Sequence, residues 1–61
     1  MLGGRKGLVL DLMRKRGRPV MPSDVARKIK GISGPYASVI LSELKKSGHV
    51  RRDVDGWVLA A

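Results

Sequence analysis

The chain has no cysteine and no phenylalanine, one histidine, one tryptophan and one tyrosine, and only five acidic residues among 61. Each scarcity closes a class of explanation. Without cysteine there is no disulfide and no thiolate zinc site to staple so short a chain. His49 alone cannot build a histidine-rich metal centre. One His and one Glu leave little for acid–base chemistry, and no Gly-x-Ser-x-Gly elbow is present. The glycine-rich start, Gly3-Gly4-Arg5-Lys6-Gly7, lacks both phosphate-loop spacing and a preceding strand. A chain this short also rarely forms the pocket that catalysis needs. No enzymatic activity, cofactor, metal or small-molecule ligand is therefore expected.

Long apolar runs are missing too. Nothing approaches the roughly 18 to 20 residues of a membrane span. Leu8-Val9-Leu10 follows Arg5 and Lys6 as in a secretory leader. Asp11 interrupts that run, however, and Arg14-Lys15-Arg16 stand where a small-residue cleavage site belongs. A cytoplasmic location is expected, nucleoid-associated in a prokaryote, and the lack of cysteine fits it. Met1 reads as a natural start, with a fragment as the alternative.

What the chain does have is positive charge. Thirteen Lys/Arg against five Asp/Glu leave a formal +8, which favours a polyanionic partner, nucleic acid or an anionic membrane surface. Hydrophobic residues at 43% suffice for a small core and argue against a disordered basic tail. The length allows one domain, 1–61, near the lower limit of independent folding.

Four segments emerge from the periodicity. A first helix over 4–16 puts Val9, Leu12 and Met13 on one face, flanked by Leu8 and Leu10, and Gly17 and Pro19 end it. Val20 and Met21 form a brief extended step. Pro22 opens a short helix over 22–30, where its missing amide costs nothing. Val25, Ala26 and Ile29 face inward on it, and Gly31 stops it. Ser33 is placed to cap a third helix over 34–47, on which Ala37, Ile40, Leu41 and Leu44 make an i, i+3, i+4, i+7 core stripe. A hairpin over 50–60 follows, with Asp55-Gly56 as its turn signal. The loop length decides which face Trp57 takes, and that register stays open.

Helix, short strand, short helix, glycine turn, amphipathic helix and hairpin make an α+β, mostly α, order that resembles the winged helix-turn-helix superfamily over nearly the whole chain. Pro22-Ser23-Asp24-Val25-Ala26-Arg27-Lys28-Ile29 is similar to its first motif helix, with Ala26 where a small residue lets two helices approach. Gly31-Ile32-Ser33 is similar to its turn. Val39 to Val50 resembles its recognition helix running into the wing. The resemblance implies a three-helix fold with a C-terminal wing, and binding of double-stranded DNA by a small transcriptional regulator or chromatin-associated factor.

Carried over by position, the DNA-facing residues are Ser33, Gly34, Pro35, Tyr36, Ser38, Val39 and Ser42. Lys45 and Lys46 stand at the far end of the helix, Arg51 and Arg52 at the base of the wing, and Arg27 and Lys28 on the preceding helix. Ser hydroxyls pair with almost any base edge and Val39 can touch a thymine methyl, but Arg, Asn and Gln are absent from this face. Gly34 and the amides at the helix start suit a phosphate. Asp53 and Asp55 at the wing tip do not. Residues 1–33 carry +7 and residues 34–61 carry +1, so grip is expected to exceed sequence choice.

Several residues keep two readings. Arg14-Lys15-Arg16-Gly17-Arg18 is a nucleic-acid patch, a nuclear address or a solvated helix end. Tyr36 stacks on nucleic acid or is partly buried. Leu10 is core or the contact of a homodimer formed through the first helix. Trp57 is a core plug or a stacker. The alternative function is a protein-interaction module docking an acidic partner, since Pro35, Tyr36 and Val39 stand where base readers belong. With only Tyr36 and Trp57 to stack, single-stranded RNA has little support.

Overall fold

The computed structural model describes residues 4–60. Of the single domain expected over 1–61, positions 1–3 and 61 lie outside the described residues. Three helices are followed by an antiparallel hairpin: α1 (Gly4–Arg16), α2 (Pro22–Lys28), α3 (Gly34–Lys46), β1 (Val50–Asp53) and β2 (Gly56–Leu59). This is the α+β, mostly α order expected from the sequence. No described helix is long and apolar enough to cross a membrane.

Local chemistry explains the boundaries. Gly17 closes α1 by donating its N–H to the Met13 carbonyl at 3.1 Å. Pro22 is the first residue of α2, and the Asp24 carboxylate accepts the Met21 N–H at 2.9 Å, satisfying an amide at the helix start. At the end of α3, the His49 N–H reaches the Leu44 carbonyl and the Gly48 N–H reaches that of Lys45. This paired closure around a left-handed glycine, Gly48 at φ 81°, uses carbonyls that the helix leaves open.

Two helix ends fall short of expectation. α2 stops at Lys28 rather than at residue 30, and α3 at Lys46 rather than at 47. Ile29 is extended, with φ −118° and ψ 114°, which turns the chain away so that Ile32 can be buried. Ser47 keeps helical angles but serves as the C-cap before Gly48.

The core joins α1, α2, α3 and the hairpin. Val9, Leu10 and Met13 of α1 meet Val25, Ile32, the Ala37/Ile40/Leu41/Leu44 stripe, Val20, Val50 and Trp57. Ala26 and Ile29, expected inward, are half-buried. Leu12 is likewise only partly buried, whereas Leu10 is 4% exposed and Leu8 is 53% exposed. Three consecutive apolar residues span about 200° of a helix, so periodicity alone could not choose among them. Leu10 is therefore core and cannot be a dimer contact.

The strand pairing gives the loop length and register that the sequence left open. Asp53 pairs with Gly56, so the two-residue loop is Val54–Asp55 and the glycine belongs to β2. Gly56 is needed there because its Cα approaches the Val20 backbone; a Cβ would lie 2.7 Å from the Val20 carbonyl oxygen. Next to it, Val20 and Trp57 exchange two backbone hydrogen bonds, of 2.9 and 2.8 Å. The register puts Val50, Arg52, Trp57 and Leu59 on one face, and Trp57 goes into the core. It is a core plug.

Asp24 ties α2 to α1. The Met21 N–H hydrogen bond, assisted by the Arg16 guanidinium at 3.6 Å, holds its carboxyl below the usual value of 3.8 despite partial burial. A lowered folded pKa stabilises above the unfolded value and is lost as pH falls through the folded one. Asp24→Ala should cost about 1 kcal/mol at pH 7, or about 4–8 °C in Tm for a domain of this size. The gap between variant and parent should close as pH drops below about 4. Thermal unfolding from pH 7 to pH 2 checks this, and an unchanged gap at pH 2 would remove the carboxylate as its source.

Candidate nucleic-acid interface

α3 owes its open face to its own sequence. Ala37, Ile40, Leu41 and Leu44 are buried, which turns Pro35, Ser38, Val39, Ser42, Lys45 and Lys46 outward as exposed side chains. Gly34 is half-buried and Ser33 exposed at the start of the helix. Val39 is 52% exposed and Tyr36 is 39% exposed. Among the residues singled out from sequence on this helix, the structure brings all of Pro35, Tyr36, Ser38, Val39, Ser42, Lys45 and Lys46 to the surface.

The helix start is less open to an anion than its sequence suggests. Ser33 Oγ accepts the Tyr36 N–H at 3.2 Å, and the Ser33 carbonyl accepts the Ala37 N–H at 2.8 Å. Pro35 has no N–H. Gly34 is thus the one first-turn amide left for an outside acceptor, which corrects the expectation of several free amides there. A phosphate at this end would meet a single free backbone amide.

Charges are redistributed by the fold. Three ion pairs occur among the described residues: Lys6 with Glu43 at 3.3 Å, Lys15 with Asp11 at 3.2 Å, and Arg16 with Asp24 at 3.6 Å. Each joins exposed or half-buried groups and is worth little stability in itself. Their consequence is electrostatic. The one acid of α3 faces Lys6 of α1, and Lys45 and Lys46 have no carboxylate partner among the described residues. Arg27, Lys28 and Lys30 of α2 and its turn are also unpaired among the described residues. All three are exposed.

The basic run after Met13 divides in the same way. Lys15 and Arg16 are engaged within the fold, while Arg14 and Arg18 have no ion-pair partner among the described residues. Arg14, Lys15 and Arg18 are exposed and Arg16 is half-buried.

The hairpin separates its two arginines. Arg52 sits opposite Trp57, with its guanidinium carbon 5.5 Å from the ring centroid, a cation–π distance. Arg51 sits opposite Val58 on the other face. Both are exposed, yet they cannot serve one phosphate line together, because adjacent strand residues point to opposite faces. At the tip, Val54 is 91% exposed between Asp53 and Asp55. That tip repels phosphate.

No protein-family model matches this chain, and neither a curated protein nor a solved structure matches it. The site must therefore be argued from its own geometry. One neighbour of α3 was missed in the sequence. The Arg5 guanidinium lies 5.6 Å from the centre of the Tyr36 ring, adding a cation from α1 beside the start of α3. The two residues are far apart in sequence and no motif links them, so only the packing of α1 on α3 reveals the pair. Met21 and Val54 are exposed apolar side chains that the sequence did not single out.

Proposed function

We propose that this chain is a winged helix-turn-helix protein that binds double-stranded DNA, gripping phosphates with limited base readout, as a small transcriptional regulator or chromatin-associated factor. The observation that carries this reading is the exposed α3 face ending in Lys45 and Lys46, which, like Arg27 and Lys28 of α2, have no ion-pair partner among the described residues. In this reading α3 enters the major groove and the hairpin serves as the wing. Ser38 and Ser42 meet base edges without strong preference, and Val39 offers an apolar contact to a thymine methyl. Arg27, Lys28, Lys45, Lys46 and one wing arginine take phosphates. Arg5 extends that grip from α1, and the acidic wing tip stays out of the groove. A cytoplasmic or nucleoid location goes with this reading.

If four to six phosphates are neutralised, log K against log salt should fall with a slope of about −4 to −5. Fluorescence anisotropy with a random-sequence duplex at several salt concentrations measures it. A flat salt dependence, or no binding near about 50 mM salt, would sink the proposal. A second reading is favoured by the exposure of Val39 and Tyr36: the same face docks an acidic protein. Capture of such a partner that random duplex fails to displace would put this reading first. A homodimer through α1 would need Leu8, since Leu10 is buried.

A further inference from the structure

A cleft of about 370 Å³ opens between the end of α1, the turn after it and the hairpin. Met13, Pro19, Val58 and Leu59 give its lining an apolar part, and Gly17 lies among them. Arg14, Arg18 and Asp53 are the charged residues of the lining, the two arginines exposed and Asp53 half-buried. None of these residues belongs to α2 or α3. The sequence stretches that form it, 13–19 and 53–59, are brought together only by the packing of the hairpin beside α1.

We propose that this cleft binds a small amphipathic carboxylate free in solution, with its apolar body on the apolar part of the lining and its head at Arg14 and Arg18. Three observations carry this. The volume lies within the range of about 300–1,000 Å³ typical of small-ligand sites, and is small for a folded protein segment. The two arginines have no ion-pair partner among the described residues, since Lys15 and Arg16 take the nearby carboxylates of Asp11 and Asp24. Asp53, half-buried in the lining, pairs with neither arginine, so the lining keeps a net positive charge.

The geometry also orients the ligand. Asp53 repels a carboxylate from the hairpin side, which leaves its head with Arg14 and Arg18. Their guanidinium groups can hold it with charge-assisted hydrogen bonds. The tail then lies along Met13, Val58 and Leu59. A cationic amphiphile with the same tail would meet the same two arginines. Charge therefore selects the ligand, and the apolar part of the lining supplies most of the contact area.

Octanoate is a suitable probe, followed by amide and methyl shifts of the whole chain. Saturable binding on the order of 1 mM is expected, with the largest shifts at Met13, Gly17, Val58 and Leu59. Acetate should not saturate, and octylammonium should bind about tenfold more weakly. The double reversal Arg14→Glu and Arg18→Glu, both exposed positions, should invert the preference between octanoate and octylammonium. Val58→Asn, which removes apolar contact without adding charge, should weaken both. Equal affinity for the two amphiphiles, or shifts centred on Leu8, Tyr36 and Val39, would overturn the proposal. It does not rest on DNA binding, so a failed duplex titration leaves this result readable.

Discussion

Replacing Lys45 and Lys46 together by glutamate is expected to weaken duplex binding about 100-fold at about 0.1 M salt. Each lysine that holds a phosphate releases a counterion, so losing two should make the salt slope shallower by about 2. The loss should be uniform across DNA sequences. Lys45 and Lys46 are exposed at the end of α3, with no ion-pair partner among the described residues, so they touch no core group whose loss could mimic a binding defect. The new carboxylates do stand near the α3 C-terminus, where the helix dipole disfavours them by about 0.3–1 kcal/mol each. A native amide spectrum of the variant separates that small cost from the binding effect. If affinity changed at one base pair only, Lys45 or Lys46 would be reading sequence, and the phosphate-grip account would have to go. If nothing changed, the α3 face would not be the DNA surface at all, and the acidic-partner reading would take its place.

Gly56→Ala should be the most damaging single exchange outside the side-chain core. The added Cβ would lie 2.7 Å from the Val20 carbonyl oxygen and 3.2 Å from its carbon, at a backbone φ of 140°. Backbone and steric strain of this kind cost about 1–3 kcal/mol each. The neighbouring Val20–Trp57 bridge must then stretch or break. A domain of 61 residues has about 3–9 kcal/mol to lose, so much of the protein should be unfolded at 37 °C. Gly31→Ala is the control. Gly31 also has positive φ, 86°, but its Cβ would meet nothing within 4 Å, so only the conformational cost of about 1–2 kcal/mol applies. Urea unfolding of both variants measures the difference. Equal losses would mean that the close approach to Val20 contributes nothing.

The same glycine marks how far reasoning from sequence reaches. Asp55-Gly56 announced a hairpin, and a hairpin is there, but the turn sits one residue earlier than that signal suggests. Turn propensity is local, whereas the demand for glycine at position 56 comes from Val20, 36 residues away in the chain. Leu10 and Leu8 show the same limit in a helix. Both flank the apolar face of α1, and only the approach of α3 and β2 determined which is buried.

For the candidate site, the outward face of α3 was legible because its complement, the Ala37/Ile40/Leu41/Leu44 stripe, is unambiguous at helical spacing. The partners of that face were not. Lys6 takes Glu43, Arg5 covers Tyr36 and Ser33 consumes an amide; the first two are contacts between helices that no window of the sequence contains.

Sequence by itself determined the order of three helices and a hairpin, the capping at Pro22, Ser33 and Gly48, and the surplus of positive charge. These follow from local backbone preferences and from counting. Tertiary structure alone decided the face of Trp57, the opposed arginines of the hairpin, which cations have an ion-pair partner among the described residues, and the cleft with Arg14 and Arg18 in its lining. Each of those depends on distances between distant residues, and such distances exist only once the helices and the hairpin have packed.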